Sequence, residues 1–264
     1  MKQLDARVIS NSEFLSYPGA TYFLLRINAP EIAADSRPGQ FCMLKCGSDS
    51  LLRRPLSIHA VTPSGQVAFL YDVKGKGTHW LSKMAVGTKL DIIGPLGNGF
   101  IIEKSTSNVL LAAGGIGIAP LIFLAQKAVS RDIGVTLIAG ARFKEGLYPD
   151  SLLPPGMDVI RVVESLEIGT RFSQGKVTDI IPAYLEGIDQ VFACGPQAML
   201  EAIGNYVDNR TVTKPVQVSL EVRMGCGSGT CYGCSIKTTQ GMQRVCKEGP
   251  VFNIKDIIWQ EVTI

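Results

Sequence analysis

The sequence predicts a multidomain protein: an antiparallel β-barrel, then an α/β domain on a parallel sheet, then a small cysteine-rich module. Three observations carry that prediction. Short β-like runs punctuated by glycine and proline fill residues 5–100, and strands alternate with helices over residues 108–220. Four cysteines then gather between Cys226 and Cys246. At 264 residues the chain is long for one domain, and the changes of pattern set the expected divisions at 1–101, 102–214 and 215–264.

In the first third, strands are expected over residues 6–9, 21–27, 40–45, 56–61, 66–72 and 89–93. Turns at Pro18-Gly19, Pro38-Gly39, Pro63-Ser64-Gly65 and Gly94-Pro95 separate them, the spacing of a small antiparallel barrel. Within it, Arg54-Pro55-Leu56-Ser57 places a guanidinium and a hydroxyl on one rim. A planar guanidinium matches phosphate oxygens, and a hydroxyl can face a flat heteroaromatic ring. Taken alone, an arginine beside Pro-Leu-Ser is more often a solvated strand end. Next, Tyr71-Asp72-Val73-Lys74-Gly75-Lys76-Gly77-Thr78 ends a strand in a glycine-rich turn, with Thr78 suited to cap a short helix. Free N–H groups there attract phosphate, though a plain capped turn needs no ligand. The loop Gly94 to Phe100 reads as a domain boundary or a cofactor edge.

The middle third alternates strands (108–113, 135–140, 158–163, 190–194, 216–220) with helices (119–130, 177–185, 196–207). Such βαβ units build a parallel sheet covered on both faces, with ligands at the carboxyl ends of its strands. Two strand ends are equipped. Gly114-Gly115-Ile116-Gly117-Ile118-Ala119-Pro120 lets the backbone approach a pyrophosphate, although Pro120 stands where a third glycine would complete the usual fingerprint. Ala193-Cys194-Gly195-Pro196 offers a thiol before a proline-started helix; a lone cysteine there is either buried structure or a neighbour of the active site.

In the last segment Cys226, Cys231 and Cys234 have four and then two residues between them, with Cys246 further on. That is the plant-type spacing of a [2Fe–2S] cluster. Gly225, Gly227, Gly229 and Gly233 are expected to let the backbone turn through positive φ and lie against the cluster, its N–H groups towards sulfur. A four-cysteine zinc site pairs two Cys-x-x-Cys hooks, whereas only Cys231 and Cys234 form one. Seven cysteines, an odd number, and no export signal behind Met1 argue against disulfides and for a reducing, cytoplasmic setting.

Composition closes other routes. A net charge of +3 without a basic run gives no footing for nucleic acid. Residues 109–125 carry no charge and approach the ~20 residues of a membrane span. Three glycines and Pro120 inside that run suit a buried strand turning into a helix instead, so no membrane association is expected.

Together, Arg54-Pro55-Leu56-Ser57, Gly77-Thr78, the Gly114–Pro120 turn and Cys194-Gly195-Pro196 resemble the ferredoxin–NADP reductase superfamily. With Cys226, Cys231, Cys234 and Cys246 included, the whole chain is similar to the electron-transfer subunits of the NAD-linked class of dihydroorotate dehydrogenase, from pyrimidine biosynthesis. The resemblance implies FAD on Arg54, Pro55, Leu56 and Ser57, on Tyr71, Asp72 and Val73, and on Gly77 and Thr78. It puts Ser57 near the reactive flavin nitrogen, the dinucleotide on Gly114, Gly115 and Gly117, and Cys194 and Gly195 beside the nicotinamide. Ser57 and Cys194 are then the catalytic candidates. It further implies an FMN-bearing catalytic partner, two copies of each chain, and electrons passing from FMN through [2Fe–2S] and FAD to NAD. The order is chemically coherent, because a hydride carries two electrons, the cluster takes one, and a flavin does both. NAD is expected, while Arg142 beyond the second strand leaves NADP open. Small subunits of NADPH–ferredoxin reductases, sulfide dehydrogenases or hydrogenase complexes share this layout. A reading of another class is a nucleotide-binding regulatory module with a structural zinc, which would be colourless.

Overall fold

A computed structural model describes residues 1–47, 51–164 and 173–262. The first part comprises β1 (Lys2–Tyr17), β2 (Ala20–Asn28), α1 (Pro30–Asp35), β3 (Phe41–Leu44) and β4 (Arg54–Ser57). It continues with β5 (Ala60–Val61), β6 (Gln66–Asp72), α2 (Lys76–Ser82) and β7 (Lys89–Leu96). The strands form one antiparallel sheet in the order β4-β3-β7-β1-β2-β6-β5. β1 is much longer than the expected 6–9 because each half serves a different neighbour: Lys2–Arg7 pairs with β7, and Arg7–Tyr17 with β2. The expected strand 56–61 is instead two strands, β4 and β5, which are the opposite edges of the sheet. Only Ile58 and His59 separate those edges, so the sheet must curl into a half-barrel. Leu25, Ile27, Leu44, Phe69 and Tyr71 fill its interior.

The second part runs β8 (Asn108–Gly114), α3 (Ile118–Val129), β9 (Gly134–Ala141), β10 (Asp158–Val163) and β11 (Ser173–Gln174). Then come α4 (Val177–Ile180), β12 (Gln190–Cys194), α5 (Gln197–Asp208) and β13 (Val216–Ser219). These strands are parallel. α4 is shorter than the expected helix over 177–185: Pro182 lacks an N–H, and the chain continues as a 3₁₀ turn over Ile181–Tyr184. The last part adds a hairpin, β14 (Ser235–Thr238) and β15 (Gly241–Arg244), and β16 (Val251–Asn253). β16 joins the parallel sheet as an antiparallel edge beside β13, a strand the sequence pattern did not assign.

The uncharged run 109–125 is explained by burial on both sheet faces. Leu110 and Ala112 pack with Val177, Leu200 and Ile203 of α4 and α5. Val109, Leu111 and Ala113 pack with Leu121 and Ile122 of α3, and that same cluster takes in Tyr22, Leu24 and Leu70 of the half-barrel. The barrel therefore docks on the sheet through α3, and Phe123 reaches into the barrel core. Among the described residues no helix is long and apolar enough to cross a membrane.

Candidate functional site

The cysteine loop starts with conformations that few side chains tolerate. Gly227 and Gly229 take φ of +73° and +84°. Gly225 and Gly233 do not share the expected positive φ; a Cβ on either would lie 3.3 or 3.6 Å from the Cys231 sulfur. Tyr232, with φ of +59°, is the left-handed residue between Cys231 and Cys234. The four sulfurs fall into two pairs. The amide of Cys231 donates to Cys226 Sγ at 3.5 Å, and the amide of Cys246 donates to Cys234 Sγ at 3.4 Å. Burial opposes ionisation of Cys226, but the amide of Cys231 and the hydroxyl and amide of Ser228 outweigh it and draw the thiol down to about 5. Cys234 and Cys246 are buried and Cys231 is exposed, so the loop has one open edge. Among the described residues, no group of three or more His, Cys, Asp or Glu side chains is placed to hold a single metal ion. Two pairs of cysteine sulfurs are instead the donor set for two irons, and the residues fit a [2Fe–2S] cluster.

Arg244 braces this loop. Its guanidinium donates to the Gly229 carbonyl at 2.8 Å, pairs with Glu248, and lies 4.8 Å from the centre of the Tyr232 ring. Asn98, at the exit of the barrel, donates to the carbonyl of Glu248 at 2.9 Å and ties the loop to the rest of the molecule.

Gly227 also makes the decisive long-range contact. A Cβ there would lie 2.5 Å from Met43 Cγ, so the cysteine loop rests on β3. Met43 is the register partner of Pro55 in β4. One strand therefore separates the cysteine loop from Arg54–Ser57, and neighbouring strands lie about 4.8 Å apart.

The two adjacent arginines are sorted by their partners. Arg53 is paired with Asp91 at 2.5 Å and is structural. Arg54 has no carboxylate partner among the described residues; it donates to the Leu52 carbonyl and packs against Gly77, where a Cβ would lie 2.5 Å from Nε. The side chain of Ser57, opposite Phe41, has no hydrogen-bond partner among the described residues. An unneutralised guanidinium over a glycine, next to a free hydroxyl, is a cradle suited to a flavin diphosphate and ring. Thr78 is not the helix cap: α2 begins at Lys76, and Thr78, the third helical residue, accepts from the amides of Lys74 and Gly75 at 3.0 and 3.2 Å. Tyr71 turns its side chain into the barrel core, where its hydroxyl donates to Asn11, and its backbone pairs with Phe23 of β2. The amide of Val73 is engaged by Thr21. Asp72 is half-buried, with one oxygen on Lys74 and the other, Oδ1, shielded from solvent and without a partner among the described residues.

At the sheet, Gly114 ends β8 and a single 3₁₀ turn over Gly115–Gly117 leads into α3. A Cβ at Gly117 would lie 2.2 Å from the Cys194 carbonyl, and one at Gly195 would lie 3.0 Å from Gly114 Cα. These glycines let the two strand ends approach backbone to backbone. Cys194 is fully buried beside Phe192, and burial pushes its thiol well up, so it stays neutral. Gly115, with φ of +53°, opens towards the barrel, where a Cβ would lie 3.6 Å from the Tyr22 hydroxyl. Tyr22 hydrogen-bonds to Tyr17 at 2.9 Å. Just after β13, Glu221 is an exposed side chain; the protein around it raises its carboxyl, with Lys74 opposing that shift and Asp72 adding to it. Tyr22, Lys74 and Glu221 escaped the sequence reading because they lie on three distant segments. Arg142 is exposed just beyond β9, 5.4 Å from the centre of the Phe143 ring.

Comparisons with known proteins agree with this geometry. The iron-sulfur cluster binding domain of dihydroorotate dehydrogenase B matches residues 221–258. The dihydroorotate dehydrogenase B (NAD(+)), electron transfer subunit of Desulforamulus reducens is 36% identical over 98% of this chain and 99% of its own. That of Listeria welshimeri is 36% identical over 97% and 99%. A chain of the NADH-dependent reduced ferredoxin-NADP oxidoreductase superposes with a TM-score of 0.84 at 28% identity, covering 97% of this chain and 90% of that one. The ferredoxin reductase in carbazole 1,9a-dioxygenase shares the fold, with a TM-score of 0.68 at 21% identity over 79% and 65%.

Proposed function

The chain belongs to the family of dihydroorotate dehydrogenase B (NAD(+)) electron transfer subunits, and on that premise we propose how its residues divide the work. It is an oxidoreductase subunit of pyrimidine biosynthesis that carries electrons between NAD and a catalytic subunit, using FAD and a [2Fe–2S] cluster. A regulatory module with a structural zinc does not belong to such a family. When bound, FAD supplies the exchange between the electron pair of a hydride and the single electrons of a cluster.

The observation that carries the assignment of parts is the contact of Gly227 with Met43, since it sets the cysteine loop one strand from the flavin cradle. Arg54 and Gly77 hold the diphosphate of FAD, and the Ser57 hydroxyl is free to donate to its ring. Backbone at Asp72 and Val73 and the Thr78 turn border the same cofactor. Gly114, Gly115 and Gly117 leave room for the dinucleotide, and Gly195 with the neutral, buried Cys194 forms the floor under the nicotinamide. Lys74, paired with Asp72, and Glu221 bring charge to the mouth of the same cleft. Cys226, Cys231, Cys234 and Cys246 hold the cluster, whose open edge at Cys231 faces the partner. The working units are residues 1–101, 102–214 and 215–264. The catalytic partner carries FMN, the assembly holds two copies of each chain, the setting is cytoplasmic, and electrons leave dihydroorotate for NAD.

Anaerobic purification tests the assignment. Two irons, two inorganic sulfides and one FAD per chain are expected. A chain with FAD but neither iron nor sulfide would remove the cluster from the scheme.

A further inference from the structure

Away from the cofactor regions, a cavity of about 210 Å³ lies in the seam between barrel and sheet domain. One wall is barrel: Leu24 and Arg26 of β2 and Gln66 at the start of β6. The other wall is Gln126 of α3 and Tyr148, with His59 between them. Gln126 stands eight residues beyond the start of α3, roughly 12 Å along the helix from the Gly115–Gly117 turn.

The walls are fixed and the polar groups facing the space are not spoken for. The His59 ring donates from Nδ1 to the Ala119 carbonyl at 2.9 Å. Its Nε2 therefore accepts from the Tyr148 hydroxyl at 3.1 Å, which satisfies both rings. By contrast, the side chains of Arg26, Gln66 and Gln126 are half-buried and make no hydrogen bond or ion pair among the described residues. The charge of Arg26 is felt at both His59 and Tyr148, and no carboxylate lines the cavity. A half-buried cation with no counter-ion beside two idle carboxamides is a poor arrangement unless something completes it.

We propose that this cavity is an effector site for a small carboxylate bearing an amide or carbonyl group. The planar fork of Arg26 matches a carboxylate, and each carboxamide offers one donor and one acceptor to an amide-like group. Its volume of about 210 Å³ lies below the ~300–1,000 Å³ usual for drug-sized ligands, which suits a small molecule. Its place gives it leverage. A ligand there fastens a barrel strand to α3 and Tyr148, the two bodies that meet again at the cleft between FAD and dinucleotide. That regulatory consequence rests on the proposed function; the binding does not.

The holo chain can be titrated with N-acetylglycine by ligand-observed NMR, beside acetamide and inorganic phosphate. Saturable binding of N-acetylglycine is expected, with none of acetamide. Arg26→Gln should weaken it about tenfold or more, and Gln126→Ala should weaken it too, both at normal FAD content. The ligand should change the rate of NADH-driven reduction of an artificial acceptor in the parent chain but not in Arg26→Gln. Absence of saturable binding, equal binding in Arg26→Gln, or phosphate bound as tightly as N-acetylglycine overturns the site. Binding without a change of rate overturns its effector role.

Discussion

The cysteine loop and the cleft between barrel and sheet are built in opposite ways. Three of the four cysteines lie within nine residues of one another, and the amide of Cys231 reaches Cys226 inside that loop while the amide of Cys246, twelve residues on, reaches Cys234. The cleft draws Tyr22 from β2, Lys74 from just beyond β6, Gly115 from the turn after β8 and Glu221 from beyond β13. A loop that carries its own chemistry can be damaged alone. A cleft assembled from distant segments depends on everything that keeps those segments in register.

The strongest way to break that comparison is Cys231→Ser. The change should abolish the cluster and all turnover with the catalytic partner, while NADH-driven reduction of an artificial acceptor and FAD content stay near normal. Iron and sulfide analysis with the two assays reads it. Loss of acceptor reduction at full FAD would mean that loop and cleft are not separable. Arg244→Gln is the gentler version: it frees Gly229, Tyr232 and Glu248 together, and the cluster should bleach several-fold faster in air.

This difference also decides what could be read from the sequence. The half-barrel and the parallel sheet follow from alternation and turn spacing, and the four cysteines stand out by their spacing, all short-range signals, whereas the roles expected of Arg54 and Ser57 come from the resemblance. Thr78 was misread because a threonine near a glycine turn looks like a cap, whereas Gly75 occupies that place and Thr78 receives the preceding amides from inside the helix. The resemblance puts FAD at Tyr71, and the structure turns that side chain into the barrel core, a direction that alternation along β6 cannot give for a curled sheet. Contacts such as Gly227 on Met43, or Asn98 on the Glu248 carbonyl, join residues more than a hundred positions apart, and no local pattern records them.

His59 tests the dependence of the cleft on its seam. Burial, with a smaller push from Arg26 and against the hydrogen bond to Ala119, lowers its imidazole from 6.5 to about 4. The unfolded chain therefore binds this proton first as pH falls. The stability that the neutral ring contributes is complete above pH 6.5 and is lost progressively towards pH 4, about 3 kcal/mol in all. Denaturant unfolding at pH 7 and pH 4.5 should show that loss, and His59→Gln should flatten the slope. Cluster content should not follow the same curve, because its ligands sit in the other region; a parallel loss would make the two regions one cooperative unit.

Within the cleft, Arg54→Ala should weaken FAD retention by about ten- to a hundredfold, the worth of one or two charge-assisted hydrogen bonds. An FAD-replete variant after gel filtration would move the diphosphate elsewhere.

The smallest expected effect is the most discriminating. Ser57→Ala should slow reduction of bound FAD by NADH about tenfold in stopped-flow while leaving FAD content unchanged, since a single neutral hydrogen bond is at stake. Arg54 and Ser57 lie three residues apart on the same four-residue strand. If strand integrity were all that mattered, both substitutions would release the cofactor alike. A split, with Arg54 governing retention and Ser57 governing rate, requires that β4 present two separate tools, one towards Gly77 and the diphosphate, the other towards the ring. Equal loss of FAD in both variants would reduce β4 to scaffolding.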